Sequence, residues 1–293
     1  MTGQKKYLGI IYIILSAFCF AFMNAFVRLA GDLPSTQKSF FRNLVALIFA
    51  GIILAKNGIP FKCQRRSNIP ALLVRAGIGT LGILCNFYAI DHLVLADASM
   101  LNKMSPFFVI IFSFLFLKER LTFFQGAAVF TAFIGSLFII KPTFSNVDII
   151  PAFLGLLGGI SAGAAYTAVR YLGQHGEKNP FIVAFFSGFS CVVTLPFLIF
   201  DFHPMTLNQL LSLLGAGLAA AGGQFSITAA YTKAPAKEIS VYDYSQIIFA
   251  AMLGFFLFGD IPDGYSILGY VIIIAMAVLM FFYNNVWKKQ LKA

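Results

Sequence analysis

The chain has 293 residues, of which 59% are hydrophobic, 16% aromatic and only 11% charged, where an ordinary soluble domain carries roughly a quarter charged residues. A mean hydropathy of +0.86 and 35 Phe exclude a water-soluble globule, because most of the surface must face hydrocarbon. The 21 Lys and Arg outnumber the 11 Asp and Glu, a formal +10, and this excess has to be read against membrane topology before nucleic acid is invoked.

Cutting the chain where charges, Pro, Gly and Asn cluster leaves ten apolar segments, at 7–29, 37–55, 69–90, 96–117, 122–140, 150–172, 180–200, 207–231, 238–258 and 264–286. Each approaches the ~20 residues a membrane helix needs. The predicted fold is therefore an all-α integral membrane protein of ten transmembrane helices, with short connectors and no soluble domain. The first segment follows Lys5 and Lys6 and ends near Arg28 without a small-residue cleavage site, so a removable signal peptide is not expected.

Orientation follows from the basic residues. With the N-terminus inside, 16 Lys and Arg fall on the cytoplasmic side, against four outside (Arg28, Lys38, Arg42 and Lys141). Lys103 lies within a span. Topology thus accounts for the +10, nucleic acid is not a predicted partner, and both termini are expected to be cytoplasmic. Tyr283 and Trp287 close the last span as an interfacial anchor. The four cysteines show no CxxC or Cys/His spacing, so neither a disulfide framework nor a zinc site is indicated.

In chain order, the first span carries Asn24 beside a small-residue row, Ala17, Ala21 and Ala25. The second carries Arg42, able to meet a substrate anion or to pair with Asp97. The third holds Asn86 and Tyr88 among Gly77, Gly79 and Gly82, with Arg75 near its start. In the fourth, Lys103 is a point charge for a carboxylate or phosphate, with Asn102 beside it and Ser99 one turn earlier. Pro106 after Ser105 predicts a kink there. The sixth contains Gly155, Gly159 and Gly163, a close-packing row, then Tyr166 and Arg170. The eighth holds Gln224. In the ninth, Asp243 can receive an amine or carry a proton, flanked by Tyr242 and Gln246. Arg28, Arg75 and Arg170, near span ends, read as snorkelling or positive-inside residues. An ionisable group at membrane depth is a functional candidate by default. At 1.5 Å per residue across a ~30 Å core, Lys103 and Asp243 are expected on the order of 12 Å apart along the membrane normal, too far for a direct bridge and with room for a solute between.

The chain also repeats itself. A shift of 142 places Ala17, Ala21, Val27 and Arg28 on Gly159, Gly163, Val169 and Arg170, and Asn24 on Tyr166. A shift of 141 places Asp97, Ser99, Asn102 and Glu119 on Glu238, Ser240, Asp243 and Asp260. Five spans per half predict two inverted repeats, 1–145 and 146–293.

Ten spans in an inverted five-plus-five repeat are joined by a recurrent phrase. It reads Ala96-Asp97-Ala98-Ser99, Ser105-Pro106 and Leu117-Lys118-Glu119, preceded by Phe40-Phe41-Arg42-Asn43. On these residues the whole chain resembles the drug/metabolite transporter superfamily, in its EamA-type branch. The second half departs from the phrase, with Gln246 and Ile247 where Ser105 and Pro106 stand. Members handle amino acids, nucleotide-like solutes, organic anions and drugs, so the marks do not select a substrate. The stretch from Arg75 to Glu119 is most similar to the branch of S-adenosylmethionine and organic-anion carriers. Export is the commoner direction the resemblance implies.

No HExxH, Walker loop or Ser/His/Asp set is visible, so an enzyme is not predicted and neither a cofactor nor a metal is expected. The sequence reads as a secondary transporter, an exporter or exchanger in a bacterial inner or plasma membrane, working by alternating access. Its solute is expected to be a small polar organic metabolite, an amino acid or derivative, with an organic carboxylate as the alternative and protons or a counter-solute as coupling partners. The site residues expected are Asn24, Arg42, Asn86, Tyr88, Ser99, Asn102, Lys103, Tyr166, Gln224, Tyr242, Asp243 and Gln246, with Asp243 coupling protons. A membrane receptor or scaffold is the remaining reading.

Overall fold

A computed structural model describes residues 3–92, 101–119, 122–140, 149–259 and 264–283. Hydrocarbon offers no partner for backbone N–H and C=O groups, which leaves helices as the way for apolar runs to satisfy them internally. Among the described residues the long elements are α1 (Gly3–Leu29), α2 (Ser35–Lys56), α3 (Ile69–His92), α4 (Ser105–Leu117), α5 (Phe123–Ile140), α6 (Ile149–Gln174), α7 (Asn179–Phe200), α8 (Leu207–Lys233), α9 (Ser245–Phe258) and α10 (Gly264–Phe282). Among the described residues, seven stretches are long and apolar enough to cross a membrane, in α1, α2, α3, α6, α7, α8 and Ala236–Phe258; the shorter apolar helices are Ser105–Leu117, Phe123–Gly135 and Ile267–Phe282.

The fourth and ninth elements are not continuous helices. The chain turns at Lys103 and Met104 before α4 begins, with Pro106 in its first turn. Proline lacks the N–H and crowds the carbonyl four residues back, so it is accommodated at a helix start rather than as a mid-span kink. Before α9, a single turn at Ala236–Ile239 passes into a 3-10 segment, Ser240–Tyr244. The two interruptions occupy equivalent places in the repeat. So do the left-handed residues that end α4 and α9, Lys118 at φ 52° and Gly259 at φ 71°.

Helix packing follows the same duplication. Pairing α1 with α6, α2 with α7, α3 with α8, α4 with α9 and α5 with α10 exchanges the observed neighbours: α1 packs on α8 as α6 packs on α3, and α9 on α1 as α4 on α6. The α2/α7 and α5/α10 contacts map onto themselves. Small residues set these seams. Ser16 Oγ donates to the Gly223 carbonyl at 3.0 Å, and at the equivalent crossing a Cβ on Gly158 would stand 3.2 Å from the Gly82 carbonyl oxygen. The glycine row of α6 faces the interrupted fourth element: a Cβ on Gly159 would collide with the Leu101 carbonyl, and one on Gly163 would lie 2.6 Å from Phe108 Cβ. Outward faces present Phe, Leu and Ile, with Phe116, Phe200 and Phe256 among the most exposed.

Candidate functional site

The two interruptions meet beside a cavity walled by α1 to α4 and α6 to α9. A helix that stops there exposes side chains and terminal backbone groups that an intact span would direct into its own turns. Asn24, Arg42, Asn86, Asn102, Lys103, Tyr166, Gln224, Asp243 and Gln246 all line this cavity. Repeat-equivalent positions therefore face one space, among them Asn24 with Tyr166, Asn102 with Asp243, and Ser105 with Gln246.

Two expected members lie elsewhere. Tyr88 is 36% exposed and stacks on His92 with centroids 4.0 Å apart. At 3.6 residues per turn, two positions beyond Asn86 is nearly the opposite face of α3. Tyr242 is buried, but it is not among the lining residues. Ser99, and Asp97 as the expected partner of Arg42, lie outside the described residues.

The separation expected between Lys103 and Asp243 is not observed. Lys103 Nζ lies 3.5 Å from Asp243 Oδ2 and donates to Gln246 Oε1 at 2.7 Å. Both charged residues are buried. Counting residues from opposite membrane faces assumed two continuous helices. The interruptions instead fall at equivalent positions and bring Lys103 against the 3-10 segment. No gap for a solute remains between the two groups in this state.

Arg75 is also misplaced by the snorkelling argument. It is 2% exposed, its Nη2 donates to Gln224 Oε1 at 2.9 Å, and its guanidinium lies 3.9 Å from the centre of the Phe186 ring. Gly79, one turn on, clears the space: a Cβ there would collide with Arg75 Nη1. Arg42 is equally buried and donates to Asn43 Oδ1 at 2.7 Å. Asn43 in turn donates to the Ser39 carbonyl and to Ser190 Oγ, both at 2.9 Å, which fixes Arg42 against α7. The signal for Arg75 was its position six residues into a span followed by glycine at i+4; what could not be read was the ring of α7 that receives it.

Arg170 is buried too. Its Nε donates to Glu119 Oε1 at 3.0 Å and its Nη1 to the Tyr231 carbonyl at 3.3 Å, joining the ends of α4, α6 and α8. Arg28, its repeat equivalent, remains exposed with its guanidinium 4.1 Å from the Phe258 ring centre. Near Arg170's end of the bundle, Glu177 Oε1 accepts from Asn68 Nδ2 at 2.8 Å and from the Gln64 N–H at 2.9 Å, tying the α2–α3 loop to the start of α7.

The EamA-like transporter family matches residues 7–141 and again 149–282. The pseudopaline exporter CntI of Pseudomonas aeruginosa is 34% identical over 93% of this chain and 95% of its own length. A riboflavin transporter of Vibrio cholerae is 26% identical over 91% of this chain and 90% of its own. Human solute carrier family 35 member G1 is 26% identical, covering 92% and 78%. A solved crystal structure aligns with a TM-score of 0.81 over 97% of this chain and 99% of that one at 12% identity, a likeness of fold alone.

Proposed function

The chain belongs to the EamA-like transporter family and is a multi-pass bacterial membrane transporter of small metabolites, and from that premise we propose that it is a secondary exporter or exchanger of an amino-acid-type solute. It works by alternating access of two inverted halves through ten spans, with both termini cytoplasmic. The observation that carries this reading is the cavity lined by polar and charged side chains where two interrupted helices meet. Interrupted helices at a repeat interface are how carriers expose polar groups at membrane depth without leaving backbone groups unsatisfied in lipid.

Lys103 and Asp243 suit a zwitterion. They neutralise one another; a solute carboxylate and ammonium replace that partnership charge for charge, so neither buried ion is left alone during exchange. Asp243 is also the carboxylate that lines the cavity among the described residues, which makes it the group through which a proton is coupled. Gln246, already bonded to Lys103, keeps the ammonium oriented in both states. Export is the favoured direction, in line with the relative named as an exporter.

Counterflow in proteoliposomes tests this. Vesicles are preloaded with a mixed pool of amino acids, organic acids and nucleosides, and uptake of each labelled species is followed with and without a pH gradient. Saturable exchange of amino-acid-type solutes is expected, with loss of the pH response in Asp243→Asn. No exchange by folded, reconstituted protein sinks the carrier reading.

A further inference from the structure

We infer that Arg42 and Arg75 form a receptor for two carboxylates, so that the solute is a dicarboxylate or an amino-acid derivative with at least two carboxylates. This rests on the carrier reading above and narrows its substrate class. Both arginines line the cavity and each is only 2% exposed, yet each holds a neutral protein partner: Asn43 Oδ1 for Arg42, Gln224 Oε1 and the Phe186 face for Arg75. The Nε of each has no hydrogen-bond partner. Among the described residues no carboxylate bonds to either guanidinium. The lining carboxylate, Asp243, is already held by Lys103. Among the described residues, three cations therefore face one anion, a formal excess of two positive charges along the cavity lining.

A buried, uncompensated guanidinium is among the costliest groups a membrane protein can retain. Packing gives no reason for it, since an apolar side chain of similar volume would fill the same space at lower cost. An anionic solute supplies the missing charge. The guanidinium also sets the shape of that anion, because its planar fork pairs with a carboxylate through two parallel hydrogen bonds. The two forks are fixed separately. Arg42 is set by Asn43, itself anchored to Ser190 of α7; Arg75 is clamped by Phe186 and Gln224, in a space that Gly79 leaves open. Independent supports favour one carboxylate per arginine over a single anion shared by both. Glutarate, with two net negative charges, offsets the whole excess; L-glutamate, with two carboxylates and one ammonium, offsets one charge of it and places its amine at the Lys103–Asp243 pair.

The test measures equilibrium binding to the purified full-length chain by ligand-induced thermal stabilisation, independently of transport. The probes are glutarate, L-glutamate, acetate and inorganic phosphate. Glutarate or L-glutamate is expected to bind at least tenfold more tightly than acetate, with phosphate weaker than both. Arg42→Gln and Arg75→Gln should each bring the dicarboxylate-to-acetate ratio close to one, since a single fork remains. Arg42→Lys and Arg75→Lys keep the charge and lose the fork; they should lower the ratio at least threefold, and they carry the test if a Gln variant does not fold. A wild-type chain with no dicarboxylate preference, an unchanged ratio in the variants, or tighter binding of phosphate would overturn the inference. Dicarboxylate binding without vesicle exchange would remove the carrier reading and leave this one standing; exchange of monocarboxylates with no such preference would do the reverse.

Discussion

Lys103 and Asp243 illustrate how a buried ion pair differs from a surface one. Away from water the attraction is strong, but so is the cost of leaving either group alone, and breaking such a pair costs about 3–5 kcal/mol. Lys103→Ala should therefore lower the unfolding temperature in detergent as well as abolish binding, because it leaves the buried Asp243 without the ammonium it is bonded to. The neutral pair Lys103→Gln with Asp243→Asn should recover most of the stability and none of the transport. A single variant as stable as the wild type would show that the pair is not closed in the membrane-extracted protein. Gly79 acts through a different neighbour. A methyl group there occupies the place of Arg75 Nη1, so Gly79→Ala should weaken solute binding about as much as Arg75→Lys while leaving the helix intact, since alanine is the better helix former by roughly 1 kcal/mol. Unchanged affinity in titrations of Gly79→Ala would mean that Arg75 has room to swing elsewhere.

At the scale of elements, the two interrupted helices are the feature that sequence conveyed least evenly. The fourth was legible in Ser105-Pro106, because proline lacks the N–H and disfavours a regular helix through that point. The ninth has no proline, and its 3-10 segment, Ser240–Tyr244, is held by packing against α1 and α4, which no local pattern announces. A rise of about 1.5 Å per residue along straight helices places Lys103 and Asp243 far apart, whereas the two interruptions bring them to 3.5 Å. The ends of the same elements differ in cost. Lys118 adopts a left-handed conformation that Gly259 adopts freely, and for a residue with a Cβ this costs roughly 1 kcal/mol. Lys118→Gly should raise stability by up to about 1 kcal/mol with no change in transport, provided the gain is not offset by the freer unfolded chain; calorimetry in detergent would read it. Gly159→Ala should do the opposite, because its methyl meets the Leu101 carbonyl and the α6 contact with the interruption must open. A Gly159→Ala protein with wild-type stability would show that this seam is loose.

For the molecule as a whole, duplication was legible because polar residues kept their register: Asn24 and Tyr166, or Asn102 and Asp243, coincide under shifts of 142 and 141 and line one cavity. What the shifts could not convey is the division of charge. Arg42, Arg75 and Lys103 come from the first half and Asp243 from the second, and only folding brings together groups about 140 residues apart. The alternating access proposed above would part Lys103 from Asp243, which lie on opposite halves, and would also release Arg75 from Gln224 and Phe186. Such motion requires that the halves enter the membrane from opposite faces. Asp32 and Gln174 are equivalent under the 142 shift and both are exposed in loops or at a helix end, which makes them a matched pair of reporters. In a chain with Cys63 changed to Ser, Asp32→Cys should react with a membrane-impermeant maleimide in intact cells, whereas Gln174→Cys should react only after permeabilisation. The positive-inside reading predicts this order, since it puts Gln174 on the side where Lys and Arg gather. Labelling of both from the same side would leave the two halves parallel, and the alternating exposure of one central cavity would then need another geometry.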